Sequence, residues 1–158
     1  MKIKGLTLIE LLVTSSLLLS LSIIGISSYF YFMKKNEQNA LIDEIRTAVQ
    51  YAKIQAILSG KPVYLSPLDA TSSWSKGMVL KSINKRNKNL ELINQWTWNF
   101  PRWDLHWIGV RSTNSITFST YPGQAISNGH FILTNKKTHE QIKIILNRIG
   151  RVKVSNNL

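Results

Sequence analysis

Residues 4–13 read Lys4-Gly5-Leu6-Thr7-Leu8-Ile9-Glu10-Leu11-Leu12-Val13. Upstream stands Met1-Lys2-Ile3, so a short basic segment meets one glycine and then an apolar run. No charged residue occurs from Leu11 to Phe32, a stretch of 22 residues. A helix needs roughly 20 apolar residues to cross a bilayer. A secretory signal has a shorter apolar region, followed by a small-residue cleavage site. Here the order is reversed: Gly5 precedes the apolar run, and Glu10 sits inside its first turns. A carboxylate at that depth costs about 3 kcal/mol on insertion scales, so Glu10 needs a partner. An N-terminal amine freed by cleavage after Gly5 would serve, on the same or a neighbouring subunit. The competing reading is an ordinary signal anchor with an incidental glutamate.

Lys34 and Lys35 end the apolar run, but the helical pattern continues. Leu41, Ile45, Ala48, Val49, Ala52 and Ala56 form one stripe of an amphipathic helix. Ser59-Gly60-Lys61-Pro62 stops it, because glycine suits the C-terminal cap and proline cannot continue. The pattern therefore predicts one helix from about residue 6 to 59, roughly 80 Å long at 1.5 Å per residue. No proline interrupts it; Gly25 with Ser27 and Ser28 would weaken it locally.

After Pro62 the pattern changes to short runs rich in β-branched and aromatic residues. Strands are expected at Val63–Ser66, Met78–Ile83, Leu90–Trp98, Ser115–Thr120, His130–Thr134, Gln141–Leu146 and Arg151–Val154. Turn signals separate them at Ser66-Pro67, Lys85–Asn89, Tyr121-Pro122-Gly123 and Asn147–Gly150. The polar stretch Leu68–Lys76 reads as a loop, and Asp104-Leu105-His106 as a possible strand. The fold class is α+β: a long N-terminal helix packed on antiparallel β sheets.

Residues 4–13 resemble the prepilin leader junction of type IV pilins and type II secretion pseudopilins. The resemblance implies a prepilin peptidase that cuts between Gly5 and Leu6 and methylates the new Leu6 amine. It implies too that Glu10 pairs with the amine of a neighbouring subunit during filament assembly. Leu6 stands where phenylalanine is more usual. Further on, Pro62–Leu65, Ser72–Leu80, Ile116-Thr117-Phe118 with Gly123, Phe131-Ile132-Leu133 and Ile144–Val154 resemble the GspH/FimT branch of minor pseudopilins. That likeness implies a type IV pilin-like fold. The division expected is a leader at 1–5, a membrane or filament-core half-helix at 6–33, and a periplasmic domain at 34–158. The chain would be a single-pass inner-membrane protein, incorporated into a pilus or pseudopilus with other major and minor pilins.

The 158 residues include 20 Lys and Arg against 8 Asp and Glu, a formal charge of +12. Such an excess attracts polyanions, whether nucleic acid or anionic lipid. No cysteine is present, which excludes disulfides, thiol catalysis and cysteine-held metals. His106, His130 and His139 show no metal-binding spacing, and no cofactor is indicated. Asp43 and Glu44 read as a solvated helix face near Arg46 and Lys53. Asp104 and His106 would need a nucleophile, and no Gly-x-Ser-x-Gly elbow occurs, so the chain is read as a non-enzyme.

Between Thr134 and Val154 stand six cations: Lys136, Lys137, Lys143, Arg148, Arg151 and Lys153. Glu140 is the one acid there. In a strand Arg151 and Lys153 share a face while Val152 and Val154 point to the core. Arg148 is a mobile cation on the preceding turn, and Gly150 gives the backbone its freedom. This placement suits successive phosphates of double-stranded DNA, read without regard to sequence. The plainer alternative is a solvated edge strand protected by charge. DNA-binding FimT-type minor pilins carry a Gly-Arg-x-Arg signature with an upstream arginine. Gly150-Arg151-Val152-Lys153 and Arg148 resemble it, with lysine for the last arginine. The resemblance implies DNA uptake in natural transformation, through Arg148, Arg151 and Lys153, with Lys143, Lys136 and Lys137 as lesser contributors. The alternative is a GspH-like minor pseudopilin of a type II secretion system, where the charge serves partner docking. A second basic run, Lys81 to Lys88, reads as a hairpin tip. The five tryptophans invite base stacking; Trp96 and Trp98 are better explained by core or sheet packing.

Overall fold

A computed structural model describes residues 7–69, 73–84, 89–110, 112–121, 123, 125 and 128–155, without the side chains of residues 24 and 27. Gly5 and Leu6, the basic hairpin tip at 85–88, Ser72 and the turn residue Pro122 lie outside the described residues.

Helix α1 runs Leu8–Ser59. It passes through Gly25 without a break. Hydroxyls in the apolar half return to the helix's own carbonyls: Ser20 Oγ donates to Leu17 O at 2.8 Å and Ser22 Oγ to Leu18 O at 2.7 Å. This satisfies polar side chains without any outside partner. At the far end Gly60 takes φ of 61°, the left-handed cap conformation that follows a helix end, and Pro62 begins the extended chain.

The chain divides into two compact units between Asn39 and Ala40. In the first unit the described large apolar side chains from Leu8 to Phe32 are all more than half exposed. This helix is long and apolar enough to cross a membrane.

The second unit has its own core. Leu41, Ile42, Ile45, Ala48, Val49, Ala52 and Ala56 are buried on one side of α1. Alanines at 48, 52 and 56 fall one turn apart and leave room for sheet side chains to approach the helix backbone. The strands are β1 Val63–Pro67, β2 Gly77–Ile83, β3 Leu90–Thr97, β4 Trp103–Gly109, β5 Ile116–Phe118, β6 Gly129–Asn135, β7 Gln141–Leu146 and β8 Val152–Ser155. They form two antiparallel sheets, ordered β3-β2-β1-β5 and β4-β6-β7-β8.

Two expectations change. The stretch Trp103–Gly109 is a full strand, with Trp103, Leu105 and Trp107 buried at every second residue. The polar stretch before β2 is not all loop: Trp74–Lys76 forms a 3-10 turn capped by Ser73, and it buries Trp74 completely. Trp74 and Trp107 both pack edge-on or tilted against Phe131, with centroids 5.3 and 4.6 Å away. Their indole N–H groups donate to Thr113 O and Ser112 O. Trp96 packs on Tyr51 at 5.6 Å, and Trp98 is half-buried against the core. No tryptophan is left as an open stacking platform.

Candidate nucleic-acid interface

The second sheet has one face in the core and one outside, and strict alternation assigns every side chain. Ile142, Ile144 and Leu146 of β7 point inward, as do Phe131 and Leu133 of β6. Val152 and Val154 of β8 pack on the same core. The outward face therefore holds Lys143 and Ile145 on β7, Lys153 and Ser155 on β8, His130 and Ile132 on β6, and Asp104 and His106 on β4. Lys153 stands opposite Ile145, and Lys143 opposite Ser155. Arg151 enters β8 on the same side as Lys153 and is exposed, as is Lys153.

The turn before β8 is organised by Asn147. Its Oδ1 accepts from the N–H of Ile149 at 3.1 Å and of Arg151 at 2.7 Å. Its carbonyl accepts from Gly150 N at 2.9 Å, and its own N–H donates to Arg151 O at 3.1 Å. Gly150 has φ of 79°, a conformation that costs other residues energy. Arg148 is thus exposed on a backbone held by hydrogen bonds.

Lys136 and Lys137 are not part of this cluster. They occupy the turn at the other end of β7, whose six residues span roughly 20 Å. There Asn135, buried, accepts from Lys137 N and Thr138 N at 2.9 and 3.1 Å. Lys136 N donates to Arg102 O at 2.9 Å, and its ammonium helps to hold the Asp104 carboxylate ionised. Lys143 lies between the two ends. The six cations therefore mark two ends and a midpoint of one track.

Three residues join the site that linear reading missed. His130 and His106 face outward beside Lys143 and Ile132, legible only from the strand alternation. Burial, then the Lys143 charge, push the His130 imidazole below its ordinary value. Lys53 comes from α1. A Cβ on Gly150 would sit 3.4 Å from Lys53 Cδ and 3.7 Å from Phe118, so the helix delivers this lysine to the turn. No local signal in the sequence carries that.

Asp104 is the one carboxylate among the described outward-facing residues of these strands. It accepts a short hydrogen bond from Ser75 Oγ, and its other oxygen lies 3.1 Å from His106 Nε2. Leu105 N donates to Ser75 Oγ at 2.9 Å. Burial raises the Asp104 pKa, but Ser75, His106 and Lys136 together outweigh it and the net shift is downward. The acid stands between hydroxyl and imidazole, the reverse of the order that activates a serine. Among the described residues no group of three His, Asp or Glu comes together to hold a metal.

At the other end of the chain, Thr7 and Glu10 form a capping box. Thr7 N and Oγ1 both donate to Glu10 Oε2 at 2.9 Å, and Glu10 N donates to Thr7 Oγ1 at 3.3 Å. Thr-x-x-Glu ahead of an apolar run is the sequence signal for it. Within this chain Thr7 therefore supplies donors to the carboxylate expected to pair across subunits.

The family described as Type II transport protein GspH matches residues 41–150. No curated protein sequence matches. Two crystal structures of the type IV minor pilin FimU of Pseudomonas aeruginosa are similar in fold. The P21 form has a TM-score of 0.61 at 16% identity, covering 78% of this chain and 92% of that one. The P65 form has a TM-score of 0.56 at 14% identity, covering 74% and 91%. The chain belongs to the GspH family of type II transport proteins, and its long helix with antiparallel sheets is the type IV pilin fold.

Proposed function

We propose that this chain is a minor pilin that binds DNA without sequence preference, for uptake in natural transformation. One observation carries the reading. The outward face of the second sheet presents Arg151, Lys153 and Lys143, with Arg148 on the adjoining turn, and its one described carboxylate is engaged by Ser75 and His106. The track of roughly 20 Å along β7 is long enough to meet several phosphates of a duplex, whose charges recur about every 1.7 Å of helix axis. Arginine forks suit phosphate oxygens, and surface cations release counterions on binding. Sequence preference should be slight and salt dependence steep.

In this account a prepilin peptidase cleaves after Gly5 and methylates Leu6. The apolar half of α1 holds the subunit in the inner membrane, with the globular unit in the periplasm. Glu10 exchanges its Thr7 partners for the amine of a neighbouring pilin as the subunit enters the filament. Retraction then draws bound DNA to the cell. One observation favours the secretion reading: the family match ends at residue 150, before Arg151 and Lys153, and its description is of a type II transport protein. A strain deleted for this chain separates the two. Loss of transformation, restored by the wild type but not by an Arg148→Gln/Arg151→Gln/Lys153→Gln variant, is the expected result. Lost exoprotein secretion with transformation intact would establish the docking role instead.

A further inference from the structure

Beside the turn that carries Arg148 lies a groove of about 430 Å³. Lys53, Ala56 and Ile57 of α1 line it, with Phe118 at the end of β5 and Arg148 and Ile149 of the turn. Its lining is rich in carbon and holds two cations, and no carboxylate stands among the described lining residues. Ile57 and Ile149 are 55% and 73% exposed, although both line it. The walls approach one another: a Cβ placed on Gly150 would lie in ordinary contact with Lys53 and Phe118.

We propose that this groove takes an unpaired nucleobase of single-stranded DNA, with Lys53 and Arg148 on the flanking phosphates. The inference rests on the DNA reading above and adds a ligand class to it. Phosphate contact alone needs cations, not apolar walls. A base has a flat apolar face and brings its phosphates with it, so it matches both parts of the lining. The volume falls in the range of small-ligand sites. Arg148 lines the groove from the turn that leads into β8, so the groove adjoins the end of the outward track. A paired, stacked base cannot enter unless the duplex opens first, so the groove selects single strands or frayed ends. An apolar side chain of a neighbouring subunit is the rival occupant.

The test uses the full-length chain in detergent and three labelled probes of equal length: oligo(dT), an abasic oligomer with the same phosphates, and a blunt duplex. Oligo(dT) should bind about tenfold more tightly than the abasic oligomer. Ile57→Ser/Ile149→Ser should erase that difference and leave abasic and duplex binding unchanged. Both positions are exposed, and a melting curve checks the fold. Equal affinity of the wild type for oligo(dT) and the abasic oligomer would overturn the groove assignment and leave the DNA reading standing. This comparison needs no variant to fold. A preference that survives in the double variant would also overturn it, the more so if that variant enters filaments poorly, since the groove would then serve a neighbour. Failure of all three probes to bind would remove the DNA reading itself.

Discussion

Asn147 Oδ1 accepts two backbone N–H groups, and its carbonyl accepts a third. Alanine there keeps the carbonyl but leaves the two donors on Oδ1 to water. Asn147→Ala should cost about 1–2 kcal/mol in urea denaturation, and Asn147→Asp, which keeps the acceptor, should cost less. Lys153 is the second side chain whose chemistry decides something. Its ammonium is a point charge, where a guanidinium would present a fork. Lys153→Arg should therefore tighten DNA binding by roughly two- to fivefold in a titration, with stability unchanged. Asp104 supplies a pH test. Its folded pKa lies below the ordinary 3.8, so the unfolded chain binds the proton first as pH falls. Its stabilisation is present above that range and is lost as pH drops through the folded value. Asp104→Asn should flatten this acid limb of the stability–pH curve; an unchanged limb would show that the Ser75 and His106 contacts contribute nothing.

Sheet β4-β6-β7-β8 brings a second titration. The folded His130 pKa is below the ordinary 6.5, so the folded chain favours the neutral ring. Stability should fall as pH drops from about 6.5 toward that lower value, and His130→Gln should remove this part. Bound phosphate reverses the preference, because it favours the imidazolium. DNA affinity should then rise a few-fold between pH 7.5 and 5.5, less so in His130→Gln, by titration at fixed salt. Helix α1 supplies a packing test. Ala52 is fully buried, so Ala52→Leu should overpack the helix–sheet contact and cost about 1–3 kcal/mol. These elements were largely legible beforehand. The stop at Ser59 followed from Gly60 and Pro62, and β7 from the alternation of Gln141–Leu146. Strand β4 was harder, because Trp98, Pro101 and Trp103 around its start mask the alternation that its buried residues obey. The 3-10 turn at Trp74 exists because a buried indole finds Thr113 O across the core, a contact no local pattern shows.

For the whole molecule, the pairing of strands decides which cations meet. Sequence proximity grouped Lys136 and Lys137 with Arg148. The antiparallel β6–β7 pairing puts them at the opposite end of the sheet. Tertiary packing supplied Lys53 instead, across more than ninety residues of chain. The apolar half of α1 and the outward sheet face belong to different units, and they answer different questions. In the proposed function the first serves membrane insertion and assembly, and the second holds DNA. The most direct test of the second is a DNA titration of the full-length chain across several salt concentrations, with unrelated duplexes. Similar affinity for each duplex is expected, with a log–log salt slope of about −3 or steeper. That slope should shrink by about one for each of Arg148, Arg151 and Lys153 changed to glutamine. Equal affinity and equal slope for the wild type and the triple variant would contradict it.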